Sequence, residues 1–494
     1  MKNFKLIKIR TAAPLTACNF IKTSPFCSMP ATLARRLYWL NFKNAMVCYG
    51  LAGLLCTGAA FAQSPVTLTI DTRAPGYAIL PDFTGVSIFT GTQVSGHRGA
   101  SGSLFSASNT QLITLFTNSG IHHLRLGATG SASSDERNLD TADIDSLFAF
   151  AKITGITVIY SLHARDGVAT AQYIWNHYRS NLDCFAFDNE PDKRWDLTGW
   201  QNFAQSVIAA VPGAKFTGPD AAGRTLAPNF ADDEKNSGIL AFVTQHTYVG
   251  GNPKKRKVTS AQQAIDIMLS KKWDTDNYPT LYRQVFLPIK NDRLPVRLTE
   301  SDDYTHGVAG ASDAFASALW ALDYMHWWAA HDARGVNFQN TEWLTTDTFH
   351  LDSAGNYQIN PKAYGIKAFD LGSHGRVEPV NIANADDLNL TAYAVGDAKE
   401  LDVTVINKEH GQGARVATVT IVPNGFSSVD AKVMFLTAPN GDIGAINGVT
   451  LGGSPILNDA PWRGQWTALD PAVNGLCTVT VPASSAVVVK ISAP

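Results

Sequence analysis

Leu182-Asp183-Cys184-Phe185-Ala186-Phe187-Asp188-Asn189-Glu190-Pro191 decides the fold. Its first six residues are mostly apolar and too few for a core helix, so they read as a short buried strand. Pro191 cannot donate to a strand ladder and closes the run, which sets Glu190 just past the strand end. Working outward, similar runs rich in β-branched or aromatic residues occur at 84–89, 122–127, 157–163, 215–219, 242–248, 296–300 and 335–339. Stretches with helical spacing lie between them, at 109–118, 144–153, 199–210, 260–270 and 312–330. Strands alternating with helices imply a parallel sheet with crossovers. Counting 184–189, there are eight strands over about 290 residues, which predicts an α/β fold of the (β/α)8 TIM-barrel type. A doubly wound sheet would carry a glycine-rich phosphate turn after an early strand, and none is found.

Beyond residue 373 the helical period disappears. Alternating segments at 388–395, 400–406, 416–422, 431–436, 477–481 and 486–491, separated by Gly, Asn, Pro and Asp clusters, predict a C-terminal antiparallel β-sandwich. The run Val66-Thr67-Leu68-Thr69-Ile70 also alternates and is expected to join that sandwich. The expected plan is a leader at 1–62, an N-terminal strand segment at 63–80, a catalytic barrel at 81–372 and the β-sandwich domain at 373–494.

Residues 1–62 hold eight Lys or Arg and no Asp or Glu; an apolar run, Ala45 to Ala60, leads into Ala60-Phe61-Ala62. This reads as a signal peptide with cleavage before Gln63, the initiator being Met1 or Met29. It predicts a secreted or periplasmic protein with no membrane span once the leader is cleaved. The whole chain has 40 Lys plus Arg against 42 Asp plus Glu. Without the leader's eight cations the balance is about −10, which disfavours nucleic acid as a partner. Lys254-Lys255-Arg256-Lys257 is a local exception, read as a solvated loop or a basic rim facing an acidic polysaccharide. Four of the six cysteines lie in the leader. The remaining two, Cys184 and Cys477, make no disulfide framework, and no Cys or His spacing suggests a metal. Neither metal nor cofactor is expected.

Catalytic groups of a (β/α)8 barrel sit at the C-terminal ends of its strands. Two carboxylates hold such positions: Glu190 after the fourth strand and Glu300, in Val296-Arg297-Leu298-Thr299-Glu300-Ser301, at the end of the seventh. Residues 110 apart in sequence can thus face each other across the mouth. Glycoside hydrolysis with retention needs two carboxyl groups about 5–5.5 Å apart, one to protonate the leaving oxygen and one to attack the anomeric carbon. Their surroundings must differ, since the acid has to hold a proton that the nucleophile has lost.

Asn189-Glu190 on strand four with Glu300 on strand seven resembles the clan A glycoside hydrolases. More closely, the chain resembles glycoside hydrolase family 79, the β-glucuronidase and heparanase-like enzymes. The likeness rests on Phe187–Asp192, Gln245-His246-Thr247-Tyr248, Leu298-Thr299-Glu300, the helical run from Ser312 to Asp323, Gly335-Val336-Asn337-Phe338 and Ala363-Tyr364-Gly365. The resemblance implies a retaining mechanism on a carbohydrate substrate, with Glu190 as acid/base and Glu300 as nucleophile. It further implies that Asn189 hydrogen-bonds a sugar hydroxyl, that Tyr248 hydrogen-bonds Glu300, and that Arg125 places positive charge beside the nucleophile. Arg125 as a barrel ion-pair partner and Tyr248 as packing are the alternatives. His246 is read as a satisfied barrel residue rather than a proton shuttle.

The loop after the nucleophile, Ser301 to Gly310, departs from the family pattern. Tyr304 and Gly307 stand where the family reads a glucuronate carboxylate. Asp302 and Asp303 add negative charge beside them, with His306 or the basic loop as the compensation to be expected. Three readings follow: a β-glucuronidase-like hydrolase, a retaining exo-glycosidase on a neutral β-glycoside, and a catalytically silent carbohydrate-binding barrel.

Overall fold

The computed structural model describes residues 65–95, 103–128, 139–340, 345–427, 430–469 and 476–493. The expected leader and its cleavage motif lie outside these residues. Among the described residues no helix is long and apolar enough to cross a membrane.

Strand β1 (Val66–Asp71) is followed by β2 (Thr84–Phe89), β3 (His123–Gly127), β4 (Thr157–Leu162), β5 (Leu182–Phe187), β6 (Phe216–Ala221), β7 (Leu240–Tyr248), β8 (Val296–Asp302) and β9 (Ala333–Gln339). Strands β2 to β9 close into a parallel barrel in chain order. All eight sequence-predicted strands are present, and β8 runs two residues past Glu300 because Ser301 and Asp302 still pair with β7. Two strands carry bulges near their C-terminal ends. The register skips Pro219 and Asp220 of β6 against one residue of β7, and Thr299 of β8 has no partner on β7. An extra residue breaks the two-residue alternation and re-aims side chains. Thr299 and Glu300 therefore both reach the barrel interior.

The β-domain has two sheets. One runs 380–383, β1, 417–424, 477–481; the other runs 376–378, 390–396, 400–407, 485–492, 430–437, 450–451. β1 pairs antiparallel with 380–383 and parallel with 417–424, so the sandwich is not purely antiparallel. A strand arriving from far upstream in the chain is free of the hairpin constraint that makes sequential neighbours antiparallel. Cys184 and Cys477 are buried and unpaired.

Helix Phe315–Ala330 joins the two parts. All its residues from Phe315 to Ala329 are buried, because it packs against the barrel on one side and the β-domain on the other. No side chain caps its N-terminus. The amide groups of Phe315 and Ala316 instead donate to the carbonyls of Ala445 and Ile443 from the β-domain, at 2.8 and 2.9 Å, which satisfies two of the orphan donors at a helix start. On its face toward the β-domain, Asp323 accepts from Lys408 at 2.6 Å, Thr391 at 2.6 Å and Tyr393 at 2.8 Å. Next to it His326 stacks on Tyr393, with ring centroids 5.0 Å apart.

Burial holds His326 at about 3. At the lower end of the barrel, burial and then Arg297 hold His123 at about 4, against the opposing pull of Asp183. Both histidines are therefore neutral when folded and titrate near 6.5 when unfolded. Between pH 6.5 and about 4 the unfolded chain binds protons that the folded chain refuses. Their contribution is complete above pH 6.5 and is lost as pH falls, by about 1.4 kcal/mol per pH unit per histidine. Thermal midpoints should fall over that window, and His326→Phe, which keeps the stack without titrating, should reduce the slope. A wild-type midpoint that is flat from pH 6.5 to 4.5 would count against this assignment.

Candidate active site

The barrel interior is charged from bottom to top. The lower layer holds Arg297, whose Nε donates to Asn337 at 2.7 Å, with Asp82, Asp183, His123 and Arg334 around it. Two residues above His123 on β3, and therefore on the same interior face, stands Arg125. Its guanidinium is fully buried and fans out to four partners. Nη1 donates to Glu300 Oε2 and Ser87 Oγ, both at 3.0 Å; Nη2 donates to Asn189 Oδ1 at 2.6 Å and Asp220 Oδ2 at 2.8 Å. Gly127 makes room for this fan, since a Cβ there would lie 2.6 Å from Nη1.

Glu190 is placed by a turn rather than by its strand. β5 ends at Phe187, and Asp188 and Glu190 then take positive φ, 76° and 46°. Strain of this kind persists only where the surroundings enforce it. Here Asp188 Oδ1 accepts from the Asn189 amide at 2.8 Å and from Arg194 Nη2 at 2.7 Å. The Glu190 amide donates to the carbonyl of Asp220 at 3.0 Å. The side chain of Glu190 remains 39% exposed, whereas that of Glu300 is 5% exposed. One carboxylate thus opens to the mouth and the other lies below it.

The two meet across His246. Glu190, His246 and Glu300 each bring one polar atom within 4.8 Å of the others, close to the spacing of a retaining pair. His246 Nδ1 lies 3.1 Å from Glu190 Oε1 and 3.6 Å from Glu300 Oε2, while Nε2 makes a 3.4 Å ion-pair contact with Asp220 Oδ1. Tyr248 donates to Glu300 Oε1 at 2.6 Å. Thr299 donates to Asp220 Oδ1 at 2.7 Å.

These contacts sort the charges. Burial works against the cationic form of His246, but Glu300, Asp220 and Glu190 outweigh it and Arg125, and raise the imidazole to about 9. The hydrogen bond from His246 lowers Glu190 below its usual range, with burial opposing. Burial likewise opposes ionisation of Asp220, yet Arg125 and His246 hold it far below the carboxylate range. At neutral pH His246 is an imidazolium beside an ionised Glu190. Among the described residues, two groups of three acidic or histidine side chains are close enough to share a cation, Asp82/His123/Asp183 and Glu190/His246/Glu300. In each, arginine already supplies the positive charge, from Arg297 and Arg334 or from Arg125.

Of the residues singled out from sequence, Glu190, Glu300, Asn189, Tyr248 and Arg125 converge here. Tyr304 and Gly307 do not. Tyr304 is fully buried and donates to the carbonyl of Ala264 at 2.9 Å, so its hydroxyl is already used. Gly307 has φ +71°, its amide donates to the carbonyl of Tyr304 at 3.1 Å, and a Cβ would strike Thr345 and Thr346; it serves a turn. Asp302 and Asp303 do not face a sugar either. Asp302 forms a fully buried pair with Lys362, and Asp303 accepts from Ser312 at 3.0 Å and Thr346 at 2.9 Å. Burial pushes both carboxyls up, with Lys362 pulling the other way. Lys362, and neither the exposed His306 nor the exposed 254–257 loop, answers Asp302.

Sequence reasoning missed Asp220 and read His246 as a satisfied barrel residue rather than a proton shuttle. Asp220 ends a barrel strand just as the glutamates do, so the same positional rule points to it. Lys362 has no such signal, because its partner lies 60 residues away.

Residues 392–488 match the model of the glycosyl hydrolase family 79 C-terminal beta domain. No curated protein matches the chain in sequence. In fold the chain is similar to a 4-O-alpha-L-rhamnosyl-beta-D-glucuronidase from Fusarium oxysporum 12S, with TM-score 0.63, 16% identity, and 85% of this chain and 99% of that one covered. A family 51 alpha-L-arabinofuranosidase from Bifidobacterium longum gives TM-score 0.60 at 14% identity, covering 86% and 99%. A bifunctional glucanase-xylanase from a metagenome library gives 0.59 at 13%, covering 87% and 99%. The chain thus carries a C-terminal region that matches the family 79 beta domain, and its fold is similar to that of these three solved structures.

Proposed function

We propose that this chain is a clan A glycoside hydrolase, an exported retaining enzyme that removes a terminal β-linked sugar, with Glu300 as nucleophile, Glu190 as acid/base and glucuronate as the sugar. The observation that carries the mechanism is the approach of the two carboxylates to within 4.8 Å, one open to the mouth and one gripped by Arg125 and Tyr248. The gap leaves no room for the water that an inverting enzyme holds between carboxyl groups about 6.5–9.5 Å apart. Glu300 attacks the anomeric carbon while Glu190 protonates the departing oxygen. Water then enters from Glu190's side and releases the sugar with its original configuration. Asn189 Oδ1 is occupied by Arg125, which leaves its Nδ2 amide to donate to a sugar hydroxyl.

The sugar assignment rests on the family 79 C-terminal domain. The burial of Asp302 and Asp303 away from the mouth removes the repulsion that opposed a carboxylate there. A neutral β-glycoside is the second reading, favoured by one observation: the hydroxyl of Tyr304 and the amide of Gly307 already have partners.

A panel of aryl β-glycosides separates the two. Aryl β-glucuronide should be cleaved at least about tenfold faster, in kcat/KM, than the glucoside, xyloside and galactoside, a margin well below the discrimination that a site built around a polar contact can reach. A faster rate on any neutral member overturns the sugar and leaves the mechanism standing.

A further inference from the structure

A retaining acid/base must hold a proton when the glycosidic bond breaks. Glu190 in the resting site does not, since the hydrogen bond from His246 holds its carboxyl below the usual range. The question is therefore where the first proton is kept.

Among the described residues, only one titratable group touches both catalytic carboxylates from the inside. His246 is cross-strand partner to Glu300 in the β7–β8 register, and its side chain is 1% exposed. The groups facing it come from every element around it: Glu190 after β5, Asp220 on β6, Glu300 on β8 and Arg125 on β3. Nδ1 points at Glu190, and Nε2 rests against Asp220. Asp220 is tied in turn to Arg125 and Thr299, so it is fixed as a carboxylate. An imidazolium in this setting can release Nδ1–H to Glu190 and still keep Nε2–H against Asp220, a single defined tautomer.

We propose that His246 is a positioning residue that stores the catalytic proton, lending it to Glu190 for bond cleavage and taking it back after hydrolysis. This rests on the assignment of Glu190 as acid/base. In the first half, the Nδ1 proton moves to Glu190 Oε1. Glu190 passes it to the leaving oxygen as the C1–O bond breaks and the C1–Oε bond to Glu300 forms. In the second half, Glu190 removes a proton from water as its oxygen bonds C1 and the bond to Glu300 breaks. That proton returns to His246 Nδ1. One proton leaves with the aglycone and one arrives from water, so His246 ends as it began.

The imidazole's raised value of about 9 places the basic limb of kcat/KM for a poorly activated alkyl glycoside near pH 9. His246→Asn keeps a donor at the Nδ1 position but cannot titrate. In that variant the basic limb should move down by about two pH units or more, toward the carboxyl range. The rate on the alkyl glycoside near neutrality should fall about 100-fold, and the rate on a dinitrophenyl glycoside, whose leaving group needs little protonation, only a few-fold. A purely structural His246 would be rescued by asparagine without moving the limb. A second measurement needs no variant. The basic limb of the wild-type enzyme should shift to lower pH on warming, as imidazolium does, whereas a carboxyl limb stays nearly fixed. A temperature-independent limb, or an Asn variant whose limb overlays that of wild type, overturns the proposal while Glu190 and Glu300 keep their roles. If no glycoside in the panel is cleaved, the underlying assignment fails as well.

Discussion

Glu300→Ala is expected to abolish hydrolysis of the best aryl β-glycoside and to leave the fold intact. Loss of the nucleophile removes the covalent route, because among the described residues neither of the other two carboxylates of the site can take its place. Asp220 is fully enclosed by Arg125, His246 and Thr299. Glu190 stands on the side from which water must enter. Enzymes deprived of their nucleophile lose rate by about five to six orders of magnitude, and a comparable fall in kcat is expected. Folding should change little. Arg125 keeps Asp220 and Asn189 as partners, so the substitution does not strand a buried cation. Initial rates and thermal midpoints measured side by side decide the matter; more than about 1% residual kcat would remove Glu300 from the nucleophile's place. In the wild-type enzyme, a 2-deoxy-2-fluoro glycoside should add its sugar mass to the peptide carrying Glu300 and to no other.

Arg125→Met should damage both activity and stability. The guanidinium binds Glu300 and Asp220 together at 3.0 and 2.8 Å, and it also carries Asn189 and Ser87. Removing one partner from a buried ionic group costs about 3–5 kcal/mol, since the remaining charges stay buried without compensation. Two carboxylates would be left with only His246 between them, so the thermal midpoint should drop. Catalysis should fall by about a thousandfold, because a nucleophile shifted by an ångström loses the alignment that makes attack unimolecular. Arg125→Lys should recover part of the stability and little of the rate. One ammonium cannot reproduce a planar fork that addresses four acceptors in fixed directions. Full kcat in the lysine variant would show that charge alone, without geometry, is what the site requires. An unchanged midpoint in the methionine variant would show that Asp220 and Glu300 are stabilised from elsewhere.

The sequence by itself determined the barrel, the β-domain and the positions of both glutamates. The reason is local. A strand buried on both faces writes itself as a short apolar run, and a carboxylate at or just past the C-terminal end of such a run, as at Phe187-Asp188-Asn189-Glu190-Pro191 or Leu298-Thr299-Glu300, belongs to the catalytic end of the barrel. Tertiary structure decided everything that depends on distance across the barrel. It turned Asp302 inward to Lys362 and Asp303 to Ser312 and Thr346, occupied the donors of Tyr304 and Gly307 with neighbouring carbonyls, and admitted Asp220 to the site through a bulge. It also set His246 between three carboxylates drawn from three different strand ends. Periodicity reports which way a side chain points from its own strand. It carries no information about which charges arrive from the others, and those charges fix where the proton rests.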